Sequence, residues 1–463
     1  MHPELAADLA QLPELLESTR RQAVDFLAGL DDRPVLGEPI GPGATPPGGE
    51  GGGLRAALDE FAERWQPAFS ASAGPRYFGF VTGGATPAAL AGDWLTAAAD
   101  QNSNSALDPA GQQLERETAD RLRGLFGLGP AHSGTFVSGA TMSNTVGLAI
   151  AREWLGERRG VDVAQEGAAA LGRVRVLSGT AHSSVSKALS VLGLGRSALV
   201  PVATLPGREA VDPAALEREL VRAAGPCVVV ANAGTVNTAD FDDLLALAEL
   251  RDRYGCWLHV DAAFGGFAAL APEFAELVAG LDAADSVCVD LHKWLNVPYD
   301  SAVQFTRRPD LQARVFHNAA AYLGPAPSGE RPDLVHLTPE NSHRLRALAA
   351  WFTLRAYGRD GHREIVERCA ACARTLGEAV AATPGLRLLA PVRLNVVCFT
   401  LAQDPTADRL AALAARLAPD AFLTPTRYAG APALRAAFSN WRTTEADVRR
   451  TATALAAAVR ALD

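Results

Sequence analysis

The chain has 463 residues, 48% of them hydrophobic and 21% charged, with a net charge of −9. That balance gives no electrostatic footprint for nucleic acid or an anionic membrane surface, and the apolar content is too high for a disordered chain. At roughly 150 residues per unit, the length implies about three structural units and a full core.

The N-terminal stretch MHPELAADLAQLPELLE is acidic and has no basic segment ahead of an apolar core, which argues against a secretory signal. No run of about 18 uncharged apolar residues points to a transmembrane helix. A soluble, cytoplasmic protein is expected. The six cysteines are too few for a disulfide framework in so long a chain. Cys369 and Cys372 spell CxxC, but within EIVERCAACARTLGEAV, an amphipathic helical pattern. They read as core thiols rather than a redox or metal pair, and no metal site is expected.

Residues 1–32 carry apolar residues at helical spacing and read as an opening arm. Arg33–Gly53 is a Pro/Gly linker. A helix is expected near Leu54–Trp65, and Pro75–Pro87 reads as more loop than element. From Ala88, helices alternate with short apolar runs at Thr135–Val137, Val174–Leu177, Leu199–Val202, Cys227–Ala231, Trp257–Val260, Ser286–Val289 and Ala302–Phe305. Such alternation predicts α/β architecture around a largely parallel sheet. After Thr338 a long helix leads to a smaller α+β region with strands LRLL, NVVCFTL and LRAAF. The expected division is an N-terminal helical arm and linker (1–87), a large α/β domain (88–345) and a small C-terminal α+β domain (346–463).

Four segments carry chemistry. In SVCVDLHKWLNVPYD, Lys293 follows an apolar strand. A desolvated ammonium there becomes a nucleophile able to form a Schiff base; the alternative is a snorkelling surface lysine. In WLHVDAAFGGF, Asp261 ends a strand, where open α/β sheets bind ligands, and would suit a protonated pyridine nitrogen; otherwise it caps a helix. Ser138-Gly139-Ala140-Thr141 stands between strand and helix, where backbone amides and the helix dipole favour an anion such as phosphate, or where an ordinary N-cap would sit. His182, just past a strand, is placed to stack on a flat cofactor or to serve as a structural histidine.

Taken together, AHSSVSKA, HVDAAFGG and LHKWLNVPYD, in that order, resemble the group II pyridoxal phosphate (PLP)-dependent amino acid decarboxylases, which include the aromatic-L-amino-acid and glutamate enzymes. The resemblance runs from about Pro75 to Val448. It implies the type I, aspartate aminotransferase-like fold, a homodimer with active sites at the interface, and pyridoxal 5'-phosphate as cofactor. Residue by residue, it implies that Lys293 forms the Schiff base, Asp261 pairs with the pyridine nitrogen and His182 stacks on the ring. It further implies that Gly139, Ala140, Thr141 and His292 seat the phosphate and that Ala263 packs on the ring face opposite His182. Thr235 would lie near the cofactor and Arg435 near the substrate carboxylate.

The expected reaction is decarboxylation of an L-amino acid to its amine and CO2. In one loop the pattern departs from the aromatic enzymes, whose loop tyrosine returns a proton to Cα. The stretch Ser328–Arg344 contains no Tyr; a gapless count puts Leu334 at that position, with His336 nearby and Tyr322 upstream. Loss of that donor is associated in the family with an aldehyde product. The alternatives are therefore an aldehyde synthase, an acidic or diamino acid decarboxylase, or an aminotransferase on the same fold. Ala91–Asn102 looks more like the glutamate enzymes. Tyr77, Phe78 and Phe80 are candidates for an apolar pocket or for core, and they favour an aromatic or bulky side chain, with Phe80 as the substrate contact.

Overall fold

The computed structural model describes residues 1–37, 40, 51–103, 109–318 and 331–462. Seven strands form one sheet: β1 (Ser133–Val137), β2 (Val176–Ser178), β3 (Leu199–Pro201), β4 (Val228–Asn232), β5 (Trp257–Asp261), β6 (Ser286–Asp290) and β7 (Ala302–Thr306). Their order is β1-β7-β6-β5-β4-β2-β3, and β7 alone runs antiparallel to its neighbours. All seven expected strands are present, each within a residue or two of its apolar run. Strands β4 to β7 are buried along their whole length, so they read as continuous apolar runs rather than alternations. Both sheet faces are covered: Val228 and Val230 of β4 join one apolar cluster, and Val229 and Ala231 join the other.

The arm is helical at Pro3–Ala10 and Leu12–Ala28, as expected. Most of the Pro/Gly linker lies outside the described residues. At the other end, helix Ala347–Ala382 is interrupted at Gly358, which takes a positive φ of 60°. Cys369 and Cys372 lie buried on this helix, and burial pushes their thiols up to about 12 and about 11. They behave as core thiols. Beyond the helix, β8 (Leu386–Leu388), β9 (Val396–Leu401), β10 (Thr424–Tyr428) and β11 (Ala431–Ala437) form an antiparallel sheet of order β10-β11-β9-β8. Strand β10 was not expected from the sequence. Its Pro425 is tolerated because β10 is an edge strand.

The stretch 75–86 is more ordered than its Gly-broken sequence suggests. Phe78 N–H donates to Phe422, Phe422 N–H donates to the Arg76 carbonyl, and Ala437 N–H donates to Phe78. These bonds stitch the segment to the small sheet. Phe78 is consumed as core, packing 4.5 Å from the Phe438 ring, and the half-buried Tyr77 packs 4.8 Å from Phe422. The same segment presses on the turn that carries Lys293. A Cβ on Gly83 would sit 1.9 Å from the Lys293 carbonyl oxygen, so only glycine permits this approach.

Candidate active site

The C-terminal ends of the parallel strands meet at one cavity of about 470 Å3. Asn232 ends β4, Asp261 ends β5 and Asp290 ends β6. Eleven of the candidate residues named from the sequence line this cavity: Phe80, Gly139, Ala140, Thr141, His182, Thr235, Asp261, Ala263, His292, Lys293 and Arg435; Tyr77, Phe78 and His336 do not. The residues from Gly139 to Lys293 converge because the parallel strands terminate at the same sheet edge, and the small sheet adds Arg435 of β11 with Phe80 bonded to it.

Helix Ala140–Arg159 begins at the cavity wall, and its N-cap, Gly139, supplies no side-chain bond. The Ala140 amide donates to Asp290 Oδ2 at 3.1 Å. The next two amides, of Thr141 and Met142, have no intrahelical acceptor and face the positive end of the helix dipole. Nearby, His292 Nδ1 and Asp290 Oδ1 stand 3.0 Å apart without hydrogen-bond alignment, and both are buried without a hydrogen-bond partner among the described residues. Lys293 Nζ lies 3.8 Å from Asp290 Oδ2 and 5.7 Å from the Phe264 ring centroid.

Asp261 is buried and doubly held, accepting from Asn144 Nδ2 at 2.8 Å and from the Ala263 amide at 3.2 Å. His182 opens onto the cavity, where solvent reaches it. The surrounding protein still displaces enough water to lower its pKa, with the Asp261 charge opposing that shift. Its Nδ1 lies 2.8 Å from Ser184 Oγ and accepts the Ser184 amide at 3.2 Å. Arg435 is buried, and its guanidinium donates to the backbone carbonyls of Val236 and Phe80, the latter at 2.6 Å. Burial lowers its pKa to about 10, so it stays charged at neutral pH. No carboxylate pairs with it among the described residues.

Some candidates have less freedom than expected. The Thr235 hydroxyl donates to Glu209 at 2.5 Å and accepts the Asp240 amide at 2.9 Å, so its proton is directed away from the cavity. Leu334 is buried, and His336 is stacked on His317 at 5.2 Å with its Nδ1 accepting the Asn318 amide. Tyr322 lies outside the described residues. Conversely, Asp290, Asn144 and His259 escaped the sequence reading. A histidine inside the otherwise apolar run CWLHV was the available signal for His259. A second overlooked signal is that the sequence has just two lysines, Lys187 and Lys293.

The chain belongs to the pyridoxal-dependent decarboxylase family: the family's conserved-domain model matches residues 55–402. Among individual proteins, it is similar to the L-2,4-diaminobutyrate decarboxylase of Acinetobacter baumannii, at 30% identity over 312 residues, covering 64% of this chain and 61% of that protein. It is also similar to the aromatic-L-amino-acid decarboxylase of Drosophila simulans, at 32% over 224 residues, covering 48% of this chain and 44% of the relative. The matches thus span less than two thirds of these relatives. In fold it follows the Oryza sativa TDC solved with PLP and tryptamine, with a TM-score of 0.89 at 24% identity and 98% coverage of both chains.

The cavity fits the family's cofactor. The uncapped amides and His292 suit a phosphate, the fixed Asp261 carboxylate suits a ring nitrogen, and Lys293 is the lysine at the wall.

His259, beneath Asp261, is fully buried, and desolvation pushes its pKa down to about 4. His362 is likewise lowered to about 4 by burial. An unfolded chain binds protons near pH 6.5 that these folded imidazoles refuse. The contribution of these two imidazoles is therefore flat above about pH 6.5 and falls toward pH 4, by at most about 3 kcal/mol per residue, against an opposite trend from Asp242, whose carboxyl burial raises to about 6. Urea denaturation should show a lower midpoint at pH 5 than at pH 7, with a smaller drop in His259→Gln. An equal drop in both proteins would contradict a neutral buried His259.

Proposed function

We propose that this protein decarboxylates an L-amino acid to its amine and CO2, using pyridoxal 5'-phosphate. The observation that carries the reading is the convergence of Lys293, Asp261 and an uncapped helix N-terminus on one cavity. When bound, the cofactor supplies a carbonyl for amine attachment and a ring that accepts the electron pair left as CO2 departs. Lys293 is the covalent anchor, with Asp290 as its nearest counter-charge. Asp261 keeps a proton on the ring nitrogen because its own position is held by two donors. His182 and Ala263, both on the cavity wall, would hold the ring between them. Gly139, Ala140, Thr141 and His292 seat the phosphate, while Thr235 packs beside the cofactor through its carbon atoms.

Arg435 takes the substrate carboxylate, since it is a cavity-wall cation satisfied only by carbonyl oxygens among the described residues. Phe80, Val81 and Phe264 make the wall apolar, which favours an aromatic or bulky side chain. Phe80 is held at a positive φ of 57°, its amide donating to Thr424 and its carbonyl accepting from Arg435. That backbone cost is sustained by the anchoring at both ends.

A second reading follows from the loop. Leu334 carries no proton to give, and neither it nor His336, which is stacked on His317, lines the cavity where a proton would have to return to Cα. Dioxygen would then serve as oxidant, giving aldehyde, ammonia, CO2 and hydrogen peroxide. Incubating the PLP-loaded protein with a panel of L-amino acids and quantifying CO2, amine, aldehyde and ammonia decides between them. One amine per CO2 from an aromatic substrate is expected. The same balance from a diamino acid would move the substrate class toward that of the diaminobutyrate relatives. Aldehyde with ammonia would support the second reading, and no CO2 from any substrate would overturn both.

In the three-part division proposed here (1–87, 88–345 and 346–463), the arm is built to meet a second copy. Leu5 and Leu9 of the first arm helix and Leu12 and Leu16 of the second form an apolar stripe, 62%, 60%, 41% and 55% exposed in the single chain. Such a stripe on an isolated surface costs solubility, and a homodimer would cover it. No helix among the described residues is long and apolar enough to cross a membrane. A cytoplasmic location is supported by six free, buried cysteines. Sedimentation should show a dimer that Leu9→Glu with Leu16→Glu dissociates. A monomeric wild type, or an unaffected double variant, would contradict the assignment.

A further inference from the structure

Beneath the cavity floor lies a hydrogen-bond chain that touches no part of the open site yet reaches two of its key groups. It begins at the Trp257 indole, whose Nε1–H lies 3.0 Å from Ser286 Oγ. Ser286 Oγ is 2.8 Å from His259 Nδ1, and His259 Nε2 is 2.9 Å from Asn144 Oδ1. Asn144 Nδ2 then divides, 2.8 Å from Asp261 Oδ2 and 3.0 Å from Ser184 Oγ. Ser184 Oγ is in turn 2.8 Å from His182 Nδ1. Trp257, Ser286, His259 and Asn144 are all buried.

The chain has only one consistent polarity. An indole can only donate and a carboxylate can only accept, so both ends are fixed. Asn144 must turn its amide nitrogen to Asp261, which leaves Oδ1 to accept from His259. His259 therefore carries its proton on Nε2, and its Nδ1 accepts the Ser286 hydroxyl, which is itself loaded by Trp257. On the branch, Ser184 accepts from Asn144 and passes its own proton to His182 Nδ1. That nitrogen also accepts the Ser184 amide, so a neutral His182 carries its proton on Nε2. The packing leaves no slack for another arrangement: a Cβ on Gly147 would lie 2.6 Å from His259 Cε1. A neutral imidazole is what the burial dictates, its pKa being pushed down to about 4.

We propose that Asn144 is the positioning residue that aims Asp261 and His182 together, and that His259 locks the orientation of its amide. Neither touches substrate or cofactor. The inference rests on the cofactor reading above and deepens it. Without His259, Asn144 Oδ1 loses the donor that pins it, and the amide that holds Asp261 and Ser184 is free to swing away from both. The two groups that grip opposite aspects of one ring would then lose their common anchor. Outer-shell partners of this kind are typically worth ten- to a hundredfold in affinity or activity, by analogy with metal sites.

The test compares His259→Gln with His259→Leu. Glutamine can still donate to Asn144 and accept from Ser286, whereas leucine can do neither. Both proteins are first checked for folding by circular dichroism and thermal melting. Cofactor affinity is then measured by equilibrium dialysis with pyridoxal 5'-phosphate, alongside the pH dependence of the loaded protein's visible absorbance. His259→Leu should weaken binding by roughly tenfold or more and displace the absorbance titration, while His259→Gln stays within about threefold of wild type. Asn144→Leu should match His259→Leu if it folds. A folded His259→Leu that binds and titrates like wild type would overturn the proposal, as would a His259→Gln as defective as leucine. Nitrogen-15 NMR of the cofactor-free protein gives an independent check: the His259 proton must reside on Nε2, and its presence on Nδ1 would overturn the assigned polarity. Tight cofactor binding in wild type with this pattern, but no CO2 from any amino acid, would sink the decarboxylase reading and leave the positioning role standing.

Discussion

The arrangement depends on a buried carboxylate at the end of the central strand. Asp261 is held by the Asn144 amide and by a backbone N–H two residues on. A carboxylate in that setting is costly unless each oxygen has a donor. The fold supplies those donors through the turn that follows β5 and the helix Ala140–Arg159, and leaves the side facing the cavity open for a cationic partner. The helix is thereby given two tasks at once. Its second turn holds Asp261, and its uncapped first turn presents amides to an anion.

Charge around the cavity is balanced in pieces rather than in pairs. Asp290 stands near both His292 and Lys293, so the Lys293 charge at the anion-binding end is partly offset before any ligand arrives. Arg435, by contrast, meets only carbonyl oxygens among the described residues. An arginine so placed keeps most of its attraction for a carboxylate, because no competing carboxylate has to be displaced first. The opposite treatment of Lys293 and Arg435 separates a site for a covalent anchor from a site for an incoming anion.

Much of this was legible in the sequence, for identifiable physical reasons. Fully buried parallel strands write themselves as apolar runs, so β4 to β7 were evident. Lys293, Asp261 and His182 stood out because charged or polar groups at the ends of such runs demand an explanation. Strand β10 was hidden by Pro425 and by its half-exposed edge position. The stretch 75–86 looked like loop because its order comes from backbone bonds to residues more than 300 positions away. Asn144 and His259 were invisible because each is unremarkable alone. Their meaning lies in a contact between a helix and a strand 115 residues apart. Similarly, nothing local to Thr235 reveals that Glu209 has claimed its proton.

The central claim is that the sheet's C-terminal edge builds a cofactor site with Lys293 as its covalent anchor. The chain is well suited to a direct test, having only Lys187 as a competing lysine side chain, and that residue is exposed on a helix surface. Loading the protein with pyridoxal 5'-phosphate, reducing with borohydride and mapping peptides by mass spectrometry locates the attachment. The account predicts a phosphopyridoxyl group on Lys293 at near-unit occupancy. A label confined to Lys187 or the N-terminal amine, or no label at all, would contradict it.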